Sequence, residues 1–315
     1  MKCISIGIIG FGNIGKKRYY ALKKIKNYKI NIKYIVDINK ENIKDEKIAW
    51  FKNWKEIKNI NVDLIIISTP TKISEVISQQ LVGKYHMLIE KPITTNIKIM
   101  QKLLTVSNKN KKIFKTGYNL RFDNGLKIVK KKLKKKIIGK IYYCKLTYAN
   151  GTAKTNTNAV GSLVDMGTHA INLIEWFFEK DIMKLNYCQN QKNEFLDKKK
   201  IDNGFCLFKV NKLTCLIHHG FCNWKNKFLL EIYGSKGFIE VNSLPKWGKQ
   251  VITSGLRTYP SGVPKVKKNI FKKDYSWINE ISTILDLISN KKKEITQFNN
   301  EGLITLKNTN KIKNS

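Results

Sequence analysis

The chain has 315 residues, 42% of them hydrophobic, and carries 60 Lys and Arg against 23 Asp and Glu, a formal charge of +37. This length accommodates two domains with cores of their own, and no run of about eighteen apolar residues exists to span a membrane. The charge does not carry a nucleic-acid reading, because only Arg18, Arg121 and Arg257 are arginines, the residue that reads bases and forks onto phosphates.

The lysines are spread along the whole chain. Their densest block, 130–136, is interrupted by Leu133 and flanked by Ile128, Val129, Ile137 and Ile138, so it reads as the charged face of a helix. No specific nucleic-acid or membrane partner is expected. Glycines break the first hydrophobic run and no small-residue cleavage site follows it, so a cytoplasmic location is expected.

The apolar run Cys3-Ile4-Ser5-Ile6-Gly7-Ile8-Ile9 leads into Gly10-Phe11-Gly12-Asn13-Ile14-Gly15, the order strand, tight turn, helix. Ending twenty-two residues past Gly15, Tyr34-Ile35-Val36-Asp37 reads as a second strand closed by an acid. In this context the first glycine makes the turn, the second admits a pyrophosphate and the third lets helix pack on strand. Asp37 stands where a carboxylate accepts from the ribose hydroxyls of a nicotinamide cofactor, which favours NAD over NADP. Gly10, Gly12, Asn13, Ile14, Gly15 and Asp37 are the candidate cofactor residues.

Strands are predicted at 4–9, 32–37, 64–68, 86–90 and 113–117, and helices at 14–25, 71–82 and 96–108. This alternation predicts a parallel sheet covered on both faces. Ser68-Thr69-Pro70 and Glu90-Lys91-Pro92 end two of these strands and lie near the expected crevice. Ser68, Thr69, Pro70, Glu90 and Lys91 therefore join the cofactor candidates.

After Gly117 the pattern changes. A lysine-rich helix is predicted over about 124–136, a strand over 140–148, a polar loop over 150–158 and a helix over 162–178. Strand candidates at 183–188, 204–210, 214–219, 228–233 and 238–241 follow without helices between them. They predict an antiparallel sheet with one packed side. Residues 244–263, rich in Gly, Pro and Ser, read as a long loop, 275–289 as an amphipathic helix and 300–308 as another. The boundary expected is 1–117 for a dinucleotide domain and 118–315 for a substrate and oligomerisation domain. Within the latter, Asp165 and His169 stand four apart on a helix, so the carboxylate can orient an imidazole that acts as a base. The six cysteines include no Cys-x-x-Cys pair, and with four histidines no metal site is expected.

Taken in order, these motifs resemble the Gfo/Idh/MocA family of glucose-fructose oxidoreductase and inositol dehydrogenase type, over nearly the whole chain. The matching segments are Gly10 to Gly15, Glu90-Lys91-Pro92, Gly117-Tyr118-Asn119-Leu120-Arg121-Phe122, 161–169 and Gly234-Ser235-Lys236-Gly237. The resemblance implies a Rossmann-type parallel-sheet domain followed by an α+β domain with a mostly antiparallel open sheet. It implies a catalytic Lys91, commonly followed by a cis proline, acting with Asp165 and His169. Tyr118 and Arg121 would line the sugar side, although Arg121 could instead be a salt-bridging residue. Asn156 and Asn158 are further candidates for sugar hydroxyls.

The implied reaction is hydride transfer between NAD and a secondary hydroxyl or ketone of a sugar, nucleotide sugar or cyclitol, in a homodimer or homotetramer. The segment 224–234 is similar to one in members that accompany nucleotide-sugar pathways. Reduction of a non-sugar carbonyl or imine, and a catalytically silent NAD-binding regulator, are the alternatives. The chain departs from the family at Val160-Gly161, Asn172 and Ser74, which is expected to bear on substrate identity.

Overall fold

The computed structural model describes residues 1–40, 47–57, 59–151, 160–179, 184–193, 200–260, 262–290 and 295–314. They fall into two compact units, Met1–Asn119 with Ser276–Leu303, and Leu120–Tyr275 with Ile304–Ser315. Residues 276–303 thus pack with the first unit, whereas the sequence reading assigned everything after 117 to the second domain. The cause is an amphipathic helix: Ile281, Ile284, Leu285 and Leu287 join the core under the first sheet.

The first unit is a six-stranded sheet in the order β3-β2-β1-β4-β5-β6, with every pair parallel. Its strands are β1 (Cys3–Ile9), β2 (Lys29–Val36), β3 (Ala49–Phe51), β4 (Leu64–Ile67), β5 (His86–Glu90) and β6 (Phe114–Gly117). The short edge strand β3 was not predicted. The helices are α1 (Asn13–Lys23), α2 (Thr71–Leu81), α3 (Ile97–Lys109) and α6 (Ser276–Asn290). Ile4, Ile6, Ile8, Leu64, Ile66 and Leu88 are at most 1% exposed, as expected for parallel strands covered on both faces. The strand order reverses between β1 and β4, which is where such sheets open a crevice at their carboxyl ends.

The second unit is an eight-stranded open sheet in the order β14-β13-β12-β11-β7-β10-β9-β8. The strands are β7 (Ile141–Ala149), β8 (Lys184–Gln191), β9 (Asn203–Val210), β10 (Leu213–Gly220), β11 (Lys227–Gly234), β12 (Gly237–Asn242), β13 (Gln250–Leu256) and β14 (Lys265–Phe271). The sheet is mixed: β7 and β10 run parallel, while the other pairs are antiparallel. A parallel neighbour needs a crossover, and α5 (Thr168–Phe178) with β8 and β9 lies in the connection between the two strands.

One face of the sheet is covered by α4 (Asn124–Lys134), α5 and the end of α7 (Ile295–Lys313), which share a core with Cys144, Leu146, Phe208, Phe228 and Leu230. The other face alternates outward. Phe205 is exposed, Leu207 and Leu216 are half-buried, and Phe228 and Leu230 point into the core.

The predicted loop over 244–263 is wrong in part, because β13 runs through it. The inward positions of β13 are Gln250, Ile252 and Ser254, of which Gln250 donates to Asp123 Oδ1 (3.1 Å) and Ser254 Oγ accepts from Lys132 Nζ (2.6 Å). Polar partners demanded by α4 erase the apolar alternation that marks a strand. β14 escaped prediction because it is an edge strand with three lysines among seven residues, all but Phe271 exposed. Charged residues of this kind keep an edge from pairing with another chain.

Candidate active site

The first unit carries a glycine cradle. Gly10 has φ +87°, and a Cβ there would come 2.7 Å from the Ser68 backbone; a Cβ on Gly15 would come 2.1 Å from Gly10 O. These two glycines are fixed by the protein itself. A Cβ on Gly12 would meet no protein atom within 4 Å. Gly12 is also the N-cap of α1, without a side-chain cap and with no acid in the first turn. An open approach to uncapped helix N–H groups suits a phosphate. Asn13 and Ile14 form the first helical residues beside it.

The strand ends are knit together: Gly10 N–H donates to Val36 O (2.8 Å) and Ser68 N–H to Ile9 O (2.7 Å). Asp37 uses Oδ2 to accept from Phe11 N–H (2.6 Å) and Oδ1 to accept from Asn39 N–H (2.9 Å). Its carboxylate is thereby held against the glycine turn. Ser68 Oγ is buried without a hydrogen-bond partner among the described residues. Thr69 Oγ1 pairs with Ser74 Oγ (2.9 Å), and Pro70 is the N-cap of α2. Ser74 is fully buried in this pair, so it acts on the turn and does not face a ligand. The cradle, the uncapped helix and the unpartnered Ser68 Oγ fit a dinucleotide.

Glu90 ends β5 with its Oε1 accepting from Arg18 Nε (3.1 Å) and Nη2 (2.5 Å), and Arg18 Nη1 donates to Glu280. Arg18 is fully buried. Burial works against its charge, but Glu280 and Glu90 outweigh it and raise its pKa. Burial likewise pushes the Glu280 carboxyl up, with Arg18 opposing. The expected cofactor residue Glu90 is therefore an anchor that fixes the strand end. Lys91 follows it, half-buried, with a cis peptide to Pro92.

In the second unit, Asp165 lies in a π-turn, Leu163–Gly167, that runs into α5, and His169 sits in the first turn of α5. Single π-turns inside helices occur often at functional sites. A Cβ on Gly167 would come 2.9 Å from Leu163 Cδ1, the end of a flexible side chain, and 3.3 Å from the His219 ring. His169 is 9% exposed. Its ring meets Tyr148 edge to face, with centroids 5.8 Å apart. Lys246 Nζ donates to Tyr148 Oη at 2.8 Å. Tyr148 and Lys246 were missed from sequence. The available signal was the Leu244-Pro245-Lys246-Trp247 run, a proline-started turn inside the supposed loop.

Tyr118 is 3% exposed. Arg121 takes the salt-bridging alternative: Nε donates to Asn172 Oδ1 (2.6 Å), Nη2 donates to Asn172 O (3.1 Å), and Glu175 lies 3.8 Å away. Asn172 also donates to Thr305 Oγ1 (2.9 Å). Asn172 thus links Arg121 to Thr305 beside α5. Asn156 and Asn158 lie outside the described residues. Among the described residues no group of three His, Cys, Asp or Glu side chains is placed to hold a metal ion, and no helix is long and apolar enough to cross a membrane.

Two family models match in tandem. Residues 4–118 match the oxidoreductase family with an NAD-binding Rossmann fold, and residues 126–240 match the GFO/IDH/MocA C-terminal domain. The chain belongs to the Gfo/Idh/MocA family. Among its relatives, the myo-inositol 2-dehydrogenase of Thermotoga maritima is 29% identical over 150 residues, 45% of this chain and 44% of that protein. The glucose-6-phosphate 3-dehydrogenase of Bacillus subtilis is 27% identical over 194 residues, 56% of this chain and 55% of that protein. The matched stretch thus spans about half the length of these curated relatives. The fold is that of scyllo-inositol dehydrogenase from Lactobacillus casei with bound NAD(H) and scyllo-inositol, with TM-score 0.80, 20% identity, and 99% of this chain and 96% of that chain covered.

Proposed function

We propose that this protein is an NAD-dependent dehydrogenase acting on a secondary hydroxyl, or the corresponding ketone, of a sugar, nucleotide sugar or cyclitol. The observation that carries the reading is the complete set of Lys91, just past the end of β5, with Asp165 in the π-turn and His169 in α5, in a chain with an open glycine cradle. The nicotinamide, when bound, accepts or returns the hydride. His169 takes the proton of the substrate hydroxyl, and Asp165 orients the imidazole and stabilises its charged form. Lys91 donates a hydrogen bond to the substrate oxygen and favours its alkoxide character. Asp37 accepts from the ribose hydroxyls and repels a 2′-phosphate, which selects NAD.

A screen of inositols, free sugars, sugar phosphates and nucleotide sugars with NAD and NADP, read at the absorbance of the reduced nicotinamide, tests the assignment. Turnover of a polyol is expected; turnover confined to a non-sugar carbonyl or imine would replace it.

The second unit would also join copies of the chain. Its outer sheet face carries the stacked rings Phe205–His218 (4.4 Å), Tyr143–Tyr233 (5.2 Å) and Tyr233–Phe238 (5.6 Å). Half-exposed aromatic ladders on an open sheet suit a second copy. Sedimentation at micromolar concentration should give a dimer or tetramer, and a monomer would refute this.

A further inference from the structure

The second unit holds a lysine that the Lys91, Asp165 and His169 mechanism does not use. Lys246 sits in the single turn Pro245–Trp247. Its ammonium lies 4.6 Å from the Trp247 ring centroid and 5.4 Å from that of Tyr148, and it donates to Tyr148 Oη at 2.8 Å. The same Tyr148 ring rests against His169. As a residue Lys246 is exposed, but its neighbours crowd the ammonium: desolvation pushes its pKa below the ordinary lysine value, while Asp274 and Asp165 pull it up. Lys246 is thus joined to one member of the Asp165–His169 pair by charge and to the other through a single aromatic ring.

A lysine in this chain has no shortage of open surface, and partial desolvation of an ammonium is costly. An ammonium has three N–H donors, and among the described residues only Tyr148 receives one. The neighbours define what the others can bind. An ammonium donates to one hydroxyl, a nearby carboxylate accepts from the next, and an aromatic face covers the apolar side of a ring. A phosphate would bring its charge to a place already holding Asp165 and Asp274, and like charges repel there.

We propose that Lys246 is a substrate-binding, specificity-determining residue of the His169 site, its ammonium donating to a ring hydroxyl of an uncharged polyol. This rests on the dehydrogenase reading for its chemistry.

The test uses the full chain with myo-inositol, scyllo-inositol, glucose and glucose 6-phosphate as probes. Turnover with NAD is measured beside ligand-observed NMR binding in the presence of NADH. Loss of one charge-assisted hydrogen bond in Lys246→Met should raise KM for the preferred uncharged probe about tenfold. The value of kcat, NADH affinity and melting temperature should hold, and Lys246→Arg should recover part of the affinity. An unchanged KM, or losses that track a falling melting temperature, would overturn the proposal. A preference for glucose 6-phosphate that disappears in Lys246→Met would overturn the uncharged class. Binding of a polyol without turnover refutes the dehydrogenase reading alone, because its loss in Lys246→Met can still be read. Neither binding nor turnover of any probe refutes both.

Discussion

Gly12→Ala and Gly15→Ala should separate cofactor binding from folding. At Gly15 a methyl would press to 2.1 Å from Gly10 O and 3.0 Å from Gly10 C, both backbone atoms of the turn. Relief requires α1 to move off the strand end, an overpacking of about 1–3 kcal/mol. For a chain of this size that is roughly a 2–5 °C fall in melting temperature. At Gly12 the methyl meets nothing within 4 Å, and the backbone, at φ −70° and ψ −162°, is open to L-residues. Loss of a glycine N-cap costs about 0.5–1 kcal/mol, a small shift in melting.

The Gly12 methyl instead occupies the space in front of the uncapped helix N–H groups. A phosphate displaced from a helix N-terminus loses about 1–2 kcal/mol, or roughly tenfold or more in affinity. Fluorescence titration with NADH and thermal unfolding of both variants measure the two effects. Wild-type NADH affinity in Gly12→Ala would refute the placement of the pyrophosphate. Equal destabilisation of the two variants would refute the steric reasoning.

The remaining expectations concern cofactor choice and acid stability. The native protein should use NAD with higher kcat/KM than NADP, and Asp37→Ala should narrow the ratio; equal use by the native protein would remove Asp37 from the discrimination. His219 is fully buried with Nδ1 paired to Ser162 Oγ at 2.9 Å, and burial, aided by His218, lowers its pKa from 6.5 to about 3. A depressed histidine contributes stability that is fully present above the unfolded pKa and is lost as pH falls toward the folded one. Between pH 7 and pH 5 this group alone should remove about 2 kcal/mol. His86, lowered to about 4 chiefly by burial, acts with the same sign in the first unit. Urea unfolding at the two pH values should show the loss for the second unit and a flatter dependence in His219→Gln. An unchanged slope in that variant would contradict the assignment.

The first unit was legible in the sequence because its determinants are local. Ile4, Ile6 and Ile8 alternate with Ser5, Gly7 and Ile9, of which the last two are also buried, and the glycine spacing states the turn that follows. The proposal of Lys91, Asp165 and His169 as a set rests on a family pattern, with the i, i+4 spacing of Asp165 and His169 beside it. What the sequence hid is long-range. The parallel pairing of β7 with β10 depends on a crossover through α5. The inward polar residues of β13 make sense only beside Asp123, the N-cap of α4, and Lys132 within it. Helix α6 reads correctly as amphipathic, but its partner is fixed by Glu280 meeting Arg18 from 262 residues away. Lys246 was one lysine among many until the turn at Pro245 carried it to Tyr148.

The central claim is that His169 is the base of a dehydrogenase. The direct measurement is kcat of His169→Ala and of the volume-keeping His169→Gln, on whichever polyol the native protein oxidises, with NADH affinity and melting temperature taken on the same samples. The account predicts a loss on the order of 10²–10⁴ in kcat with NADH binding retained, a parallel loss in Lys91→Ala, and a partial one in Asp165→Asn. Near-normal kcat in a folded His169 variant would contradict it and leave the family assignment without the proposed chemistry.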